Sequence, residues 1–377
     1  MKSPSEQIFS GETPLLGNNA FFAKHKEISF FLFMLILPTF FKSCGLEGGG
    51  RYEVGVLNDI GIYVCLALSL NIILGNCGLF NMGHAAFFAI GAYTTAILNT
   101  QYGIPVLYTM PLAGILAGLF AFATALPVIH LRGDYLLLVT IGIVEIVRIA
   151  LVNDVGGLTG GSSGAFGIAR PELFGFRLST PEALYYLIWG FTALSVLVFT
   201  LLNNSRFGRA LNYIKSDDLA AAGNGINITR YKIAAFTIGG FWAGMVGTLF
   251  AAKMRTIGPE AFTFSESVLL FAIVILGGAG SIPGVILGSF LLIGLPELFR
   301  ELASARLLFF GVAMCAMMIF RPAGLLPVKK IRYAAAQYVG KFPSILGSAD
   351  ASCLHSGQTE KTREGKSNGA GLSGEKP

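Results

Sequence analysis

The chain has 377 residues, of which 54% are hydrophobic and 13% charged, whereas soluble domains carry about 25% charged residues. A soluble globular protein is excluded, and an integral membrane protein is expected. The formal net charge of +6 would suggest nucleic acid in a soluble chain, but here the basic residues cluster in loops, as membrane orientation requires, and nucleic acid is set aside.

Residues 1–27 read as a flexible polar tail containing Glu6, Glu12 and Glu27. With no small-x-small cleavage site after the next apolar run, the first span is expected to remain in the mature protein. That run, 28–41, is short and spans only if its flanking charges reach the interface. Apolar segments follow at 56–74, 82–98, 104–129 and 135–152. The interval 60–131 contains no Lys, Arg, Asp or Glu and supplies about three spans of roughly 20 residues each. Asp59, at the start of its segment, is placed at the outer interface with no special role.

Between the second and third apolar segments, Gly75, Gly78 and Gly83 would break a helix or pack it closely, while Asn81 and His84 bring polar groups to the entrance of an apolar run. These two are candidate residues of a translocation path for a zwitterion. The other reading is a helix cap at the cytoplasmic surface, with Asn81 satisfying the first turn. His84 has no second ligand at metal spacing, and the five cysteines show no CxxC or metal-type pattern. Farther on, Glu145 and Arg148 lie three apart and share a helix face. An unpaired charge there would cost a few kcal/mol, so an intramembrane ion pair is expected, either lining a wet cavity or bracing the bundle interior.

A long loop, 153–182, rich in glycine from Gly156 to Gly164, precedes the segment 183–202. The interval 205–232 is the longest polar stretch between two apolar segments in the chain's interior, and another protein is expected to take hold there. Ser216 and Asp217 can cap a short helix through Asp218, Ala220, Ala221 and Ala222, and Gly223 or Gly225 can end it. Ile226 offers an apolar tip. Asn227 and Thr229 then open a helix running into 233–252 with Lys232 near its start, so a push on the short helix reaches the membrane through rigid backbone.

The uncharged run 267–296 is too long for one ordinary span and is interrupted by Gly277, Gly278, Gly280, Pro283 and Gly284. Two half-helices or two short spans are expected. Such breaks occur where freed backbone is buried in protein or faces a wet cavity, which makes Gly277, Gly278, Gly280 and Pro283 candidates for the translocation path; a tight packing hairpin is the alternative. After a last segment, 307–320, the tail loses its apolar periodicity, and from about 344 it has a disordered composition. Gly365, Lys366 and Ser367 match the end of a phosphate loop, but the required earlier glycine falls on Glu360 and no strand precedes it.

The basic residues of 205–232 and those after 320 both belong in the cytoplasm. With Lys24 and Lys26 also inside, the alternation of segments closes, provided the broken run crosses twice or re-enters. The expected fold is an all-α integral membrane protein, a polytopic helical bundle of about 8–10 transmembrane helices with a broken Gly/Pro-rich segment. Its expected divisions are a cytoplasmic tail 1–27, a permease domain 28–327 with a cytoplasmic coupling loop 203–232, and a largely disordered cytoplasmic tail 328–377.

Several of these stretches resemble the permease subunits of branched-chain amino acid ABC importers of the LivM type. In the polar loop the matching residues are Asp217, Asp218, Ala220, Ala221, Gly225, Ile226 and Lys232, followed by Ala235 and Phe236; Ala222 and Asn224 depart from the family's pattern. Gly83, Ala85, Phe87, Gly91, Ala92 and Tyr93 fit an early signature, and the Thr159-Gly160-Gly161 stretch fits an outer loop. Pro296, Glu297, Arg300, Arg321, Pro322, Gly324 and Leu325 fit the end of the family's permease domain. The resemblance covers about 60–327. It implies a non-enzymatic, cofactor-free subunit of the bacterial inner membrane, paired with a LivH-type permease, two cytoplasmic ABC ATPases that dock on the loop, and a periplasmic amino-acid-binding protein. The sequence itself carries no Walker motif, metal cluster or nucleophile with a nearby base. The alternatives are a urea or short-chain amide ABC permease, whose pattern overlaps, and an ion-coupled secondary carrier.

Overall fold

The computed structural model describes residues 50–294, apart from 132, 155, 174–175 and 178–179, together with 296, 311 and 324–326. The expected spans 28–41 and 307–320, and both tails, lie outside the described residues. Within them the protein is all-α apart from two minimal two-stranded ladders. Helices α1 (Gly50–Asn71), α2 (His84–Tyr102), α3 (Val106–Val128), α4 (Asp134–Val152), α5 (Pro181–Asn204) and α8 (Ile228–Met254) are the long elements. Two short helices, α6 (Arg206–Ser216) and α7 (Asp218–Gly223), stand between α5 and α8, and α9 (Phe264–Gly277) and α10 (Ile282–Ser289) follow α8. Among the described residues, five helical stretches are long and apolar enough to cross a membrane, and two shorter apolar ones cover 264–277 and 282–294.

The order of burial identifies the centre of the bundle. In the spanning window of α1, 78% of residues are buried, and in α8 67%, but in α4 only 22%; α1 and α8 are therefore core elements and α4 lies at the periphery. Helix α8 packs along α2 and α3, while α1 packs along α5, α8 and the α9–α10 pair. Small residues allow this close approach. A Cβ on Gly91 of α2 would strike the backbone of Gly244, and one on Gly244 would meet Ala113 and Ala117 of α3. With no apolar driving force between helices in lipid, such packing and buried hydrogen bonds hold a bundle together. Thr95 and Thr248 supply one at 2.8 Å across the same seam, and Thr109 donates to Thr95 at 3.2 Å.

Two boundaries depart from the expected ones for physical reasons. Helix α1 begins by Gly50 rather than at 56, because Glu53 in its first turn favours a helix N-terminus. Asp59 is consequently inside the helix and paired with Lys253 of α8 rather than without a role. The long loop after α4 is also partly structured: β1 (Ala165–Phe166) pairs with β4 (Thr256–Ile257), and β2 (Glu172–Leu173) with β3 (Phe176–Arg177).

Candidate functional site

The polar interval folds into two helices where the sequence reading placed one. Ser205 both ends α5 and caps α6, its Oγ donating to the Leu202 carbonyl at 2.6 Å and accepting from Gly208 N at 3.4 Å. Helix α6 then buries Gly208, Ala210, Leu211 and Ile214, and with half-buried Phe207 these trace one face at helical spacing. That periodicity is visible in the sequence and was the missed signal. Asp217 caps α7 as expected, its Oδ1 accepting from Leu219 N at 2.8 Å and Ala220 N at 3.1 Å. Ser216 instead closes α6 by donating to Asn212 O.

Gly225 takes a positive φ of 78° after α7, a conformation open to glycine at little cost. Asn224 donates from Nδ2 to Ala220 O at 2.8 Å, so this departure from the family pattern serves as a C-terminal cap. Asn227 caps α8 through Arg230 N at 3.1 Å. Asp218 and Lys232 form an ion pair at 2.8 Å that clamps α7 to the first turns of α8. Ala221 is buried under α7 and Ala220 is exposed. Ile226 is half-buried rather than an apolar tip; the protruding apolar side chains are Leu219, 81% exposed, and Tyr213.

This helical pair is wired to the bundle. Lys215 of α6 donates from Nζ to the Gly75 carbonyl at 2.6 Å, and Gly75 belongs to a π-helical turn, Ile72–Asn76, at the end of α1. Such turns are frequent at functional positions. Asn203 and Asn76 are hydrogen-bonded beside it. One turn back, Asn71 Oδ1 accepts from Gly280 N at 2.8 Å, and Gly280 lies in the bend between α9 and α10. Leu325 N and Leu326 N donate to the carbonyls of Leu276 and Gly277 at the same bend. The interruption of 267–296 is thus a helical hairpin. Gly277 and Gly284 bring its arms into backbone contact, Gly278 has a φ of 114°, and Pro283 sits in the first turn of α10, where its missing N–H costs nothing.

Asn81 and His84 are buried inside the bundle, at 1% and 0% exposure. Ser69 Oγ donates to Leu66 O at 2.7 Å, so it accepts from His84 Nε2–H at 2.7 Å, which leaves His84 Nδ1 as a buried lone pair with no partner. Asn81 Oδ1 accepts from Gly83 N at 2.8 Å, and its Nδ2 has no partner. The first turn of α2 is served from α9 instead, where Ser267 Oγ accepts from Ala85 N at 3.1 Å. Arg148 Nε bonds Glu145 Oε2 at 2.8 Å, and Glu260 lies 3.8 Å from the guanidinium. No group of residues that could hold a metal occurs among the described residues.

Away from α6 and α7, near the C-terminal end of α8, Asp59, Lys253, Tyr63 and Glu266 line a cavity of about 490 Å³ together with Phe250 and Leu269. Tyr63 donates to Glu266 Oε2 at 2.8 Å, and Lys253 pairs with Asp59 and donates to Gly55 O at 2.9 Å. Sequence reading missed this group because Asp59 and Tyr63 lie about 200 positions from Lys253 and Glu266. The loop beyond α4 is organised by Asp154, whose Oδ1 accepts from the hydroxyl and N–H of Thr159 and from Gly160 N.

A family model described as the branched-chain amino acid transport system / permease component matches residues 53–321. The high-affinity branched-chain amino acid transport system permease protein LivM of Salmonella typhimurium is 41% identical, covering 74% of this chain and 71% of that protein. LivM of Escherichia coli is 40% identical over the same shares. LivH of Escherichia coli is 28% identical, over 62% of this chain and 80% of that protein. No solved structure matches the chain.

Proposed function

The chain belongs to the branched-chain amino acid transport permease family, and from that premise we propose that it is the LivM-type membrane-spanning subunit of an ATP-driven importer of branched-chain amino acids. It works beside a LivH-type permease, two cytoplasmic ABC ATPases that hydrolyse the ATP, and a periplasmic amino-acid-binding protein. Its permease domain is 28–327, with cytoplasmic tails 1–27 and 328–377. The α6–α7 pair faces the cytoplasm of the bacterial inner membrane, in keeping with Arg206, Arg209, Lys215, Arg230 and Lys232 around it.

The observation that carries this reading is the rigid attachment of α6 and α7 to the spans. Leu219 and Tyr213 offer an apolar knob to an ATPase groove, and three devices pass its movement inward: the Asp218–Lys232 clamp, the continuous helix α8, and the Lys215–Gly75–Asn71–Gly280 relay to the α9–α10 hairpin. Closure of the ATPases therefore tilts α8 and displaces the hairpin bend together. Separation of the helices around Asn81 and His84 exposes unpartnered polar atoms to a passing zwitterion.

The test is a pair of variants in the assembled importer. Leu219→Asp changes only an exposed side chain, and Gly225→Val forces a β-branched residue into a positive-φ position. Each is expected to lower both ATPase association and ATP-driven leucine uptake at least about tenfold, as loss of an interface anchor does. Unchanged association and uptake in both would overturn the coupling role. Labelled urea carried in preference to leucine would assign the chain to amide transport instead.

A further inference from the structure

We infer that the start of α2 is a clasp for the head group of an amino-acid zwitterion. Asn81 Nδ2 and the Ala85 N–H take the carboxylate, His84 Nδ1 takes the ammonium, and the Ser267 hydroxyl holds the carboxylate's place while the clasp is empty. The inference rests on the transport reading above and adds to it which atoms meet which end of the substrate. Five uncharged polar side chains converge here from four helices and the turn before α2: Ser69 of α1, Asn81, His84 of α2, Thr140 of α4 and Ser267 of α9, each at most 1% exposed. Met82 N donates to Thr140 Oγ1 at 3.2 Å, Gly83 N to Asn81 Oδ1 at 2.8 Å and Ala85 N to Ser267 Oγ at 3.1 Å. Within that satisfied network, Asn81 Nδ2 and His84 Nδ1 alone lack a partner among the described residues. Buried polar atoms are left unmet so rarely, and at such cost, that two of them in one turn call for a ligand.

The network fixes what each of these two atoms can do. Gly83 N is a donor, so the atom of Asn81 that faces it is the oxygen, and the free one is an N–H group. Ser69 Oγ is committed to Leu66 O, so His84 carries its proton on Nε2 and keeps an acceptor at Nδ1. One free donor and one free acceptor, three residues apart, match a carboxylate and an ammonium on a single carbon. Helix α2 is 19 residues long and starts inside the bundle, beside Ser69 of α1, so the positive end of its dipole adds to the donor side. The clasp has no charge of its own, and an isolated charge brought into the bundle is costly. A zwitterion brings both signs together, which a singly charged analogue does not. The Phe87 ring, edge-on to His84 at 5.8 Å, offers a surface to an apolar side chain.

Ser267 makes the clasp responsive to the ATPases. Its hydroxyl oxygen accepts from an N–H in the first turn of α2, the position in which a helix N-terminus receives an anion. Ser267 belongs to α9, the first arm of the hairpin whose bend is bonded through Gly280 to Asn71. Displacement of the hairpin draws Ser267 off Ala85 and frees that N–H for the substrate carboxylate; its return drives the carboxylate out. Helix α4, only 22% buried in its spanning window, covers the other side through Thr140 and Val144. It is the element whose departure admits the ligand.

The experiment measures binding of labelled leucine to the purified importer complex arrested with ATP and vanadate, without the binding protein, beside ATP-driven uptake with it. Saturable binding is expected in the wild type. Isopentylamine and 4-methylpentanoate, which each keep one of leucine's two charges, should displace leucine at least about tenfold less well than isoleucine does. In His84→Gln the amide N–H replaces Nε2–H toward Ser69, but no acceptor remains at the Nδ1 position; in His84→Asn the reverse holds. Binding should therefore fall about tenfold or more in His84→Gln and less in His84→Asn, whereas a histidine that only ties α1 to α2 predicts the opposite order. Ser267→Ala, which removes the stand-in, should bind leucine severalfold more tightly than the wild type although it loses a packing bond. Either comparison is decisive if the other variant does not assemble. The opposite order of the His84 variants, Ser267→Ala binding no more tightly, one-charge analogues displacing as well as isoleucine, or wild-type uptake without saturable binding would overturn the clasp and leave the transport reading standing. Absence of ATP-driven leucine uptake by the wild type would overturn the transport reading, and the clasp with it.

Discussion

Single side chains decide where elements start and stop in this bundle. Asp217 accepts two N–H groups of α7, and an N-cap of this kind contributes about 1 kcal/mol. Asp217→Ala should therefore speed amide exchange at Leu219 and Ala220 severalfold while leaving α8 unchanged. Asp154 does comparable work in the loop after α4. The Thr159 hydroxyl first, then the backbone N–H of Thr159, hold its carboxyl below the usual range. A lowered folded-state pKa means the stabilisation is complete above the unfolded carboxylate value and lost as the pH falls through the lowered one. Protection of the Thr159 and Gly160 amides should accordingly be flat at neutral pH and collapse only in acid; in Asp154→Asn the acid-dependent step should disappear. Arg255 ends α8 with a φ of 60°, so Arg255→Gly should raise thermal stability in detergent by about 0.5–1 kcal/mol, since the side chain's left-handed strain is removed.

Between elements, the smallest residues carry the greatest constraint. Helix α8 is read from the sequence as an ordinary span, yet Gly240, Gly244 and Gly247 are where α2 and α3 come into contact with its backbone. A large residue there cannot be absorbed by rotamer change, because what it meets first is main chain or an alanine Cβ, neither of which a rotamer can move. Gly244→Leu is expected to cost roughly 1–3 kcal/mol or more by overpacking, seen as a lower melting temperature and lower yield of folded protein. Gly142, whose Cβ would meet nothing, should accept alanine without loss. The same reasoning explains why both readings of the broken run 267–296 keep part of their force: Gly277 and Gly284 make a packing hairpin, while its bend is bonded to Asn71 at the end of α1.

For the molecule as a whole, the consequence is that one end can report to the other. Lys215, Gly75, Asn71 and Gly280 form a continuous set of hydrogen-bonded or touching groups from α6 to the hairpin, and α8 runs unbroken from the Lys232 clamp to Lys253. If this relay carries the stroke, Lys215→Met should leave assembly with the ATPases intact but reduce the leucine moved per ATP hydrolysed several-fold. An unchanged ratio would assign transmission to α8 alone. Lys232→Met, which removes the clamp, should instead weaken both assembly and uptake.

Local chemistry was legible in the chain because it acts over a few residues. Hydrophobic runs of bilayer length, the Asp217 cap, the Gly225 turn, the Glu145–Arg148 pair and the interruption near Gly278 all follow from spacing within a turn or two, while family membership was legible only as the resemblance of several motifs to known permeases. Tertiary packing alone decided the rest. That Asp59 meets Lys253, that Tyr63 meets Glu266, that Asn81 and His84 lie buried, and that Lys215 reaches Gly75 depend on which helices become neighbours. Helix pairing in a membrane is chosen by the fit of whole surfaces, to which each residue adds only a small part, and that fit leaves no periodic mark in the sequence.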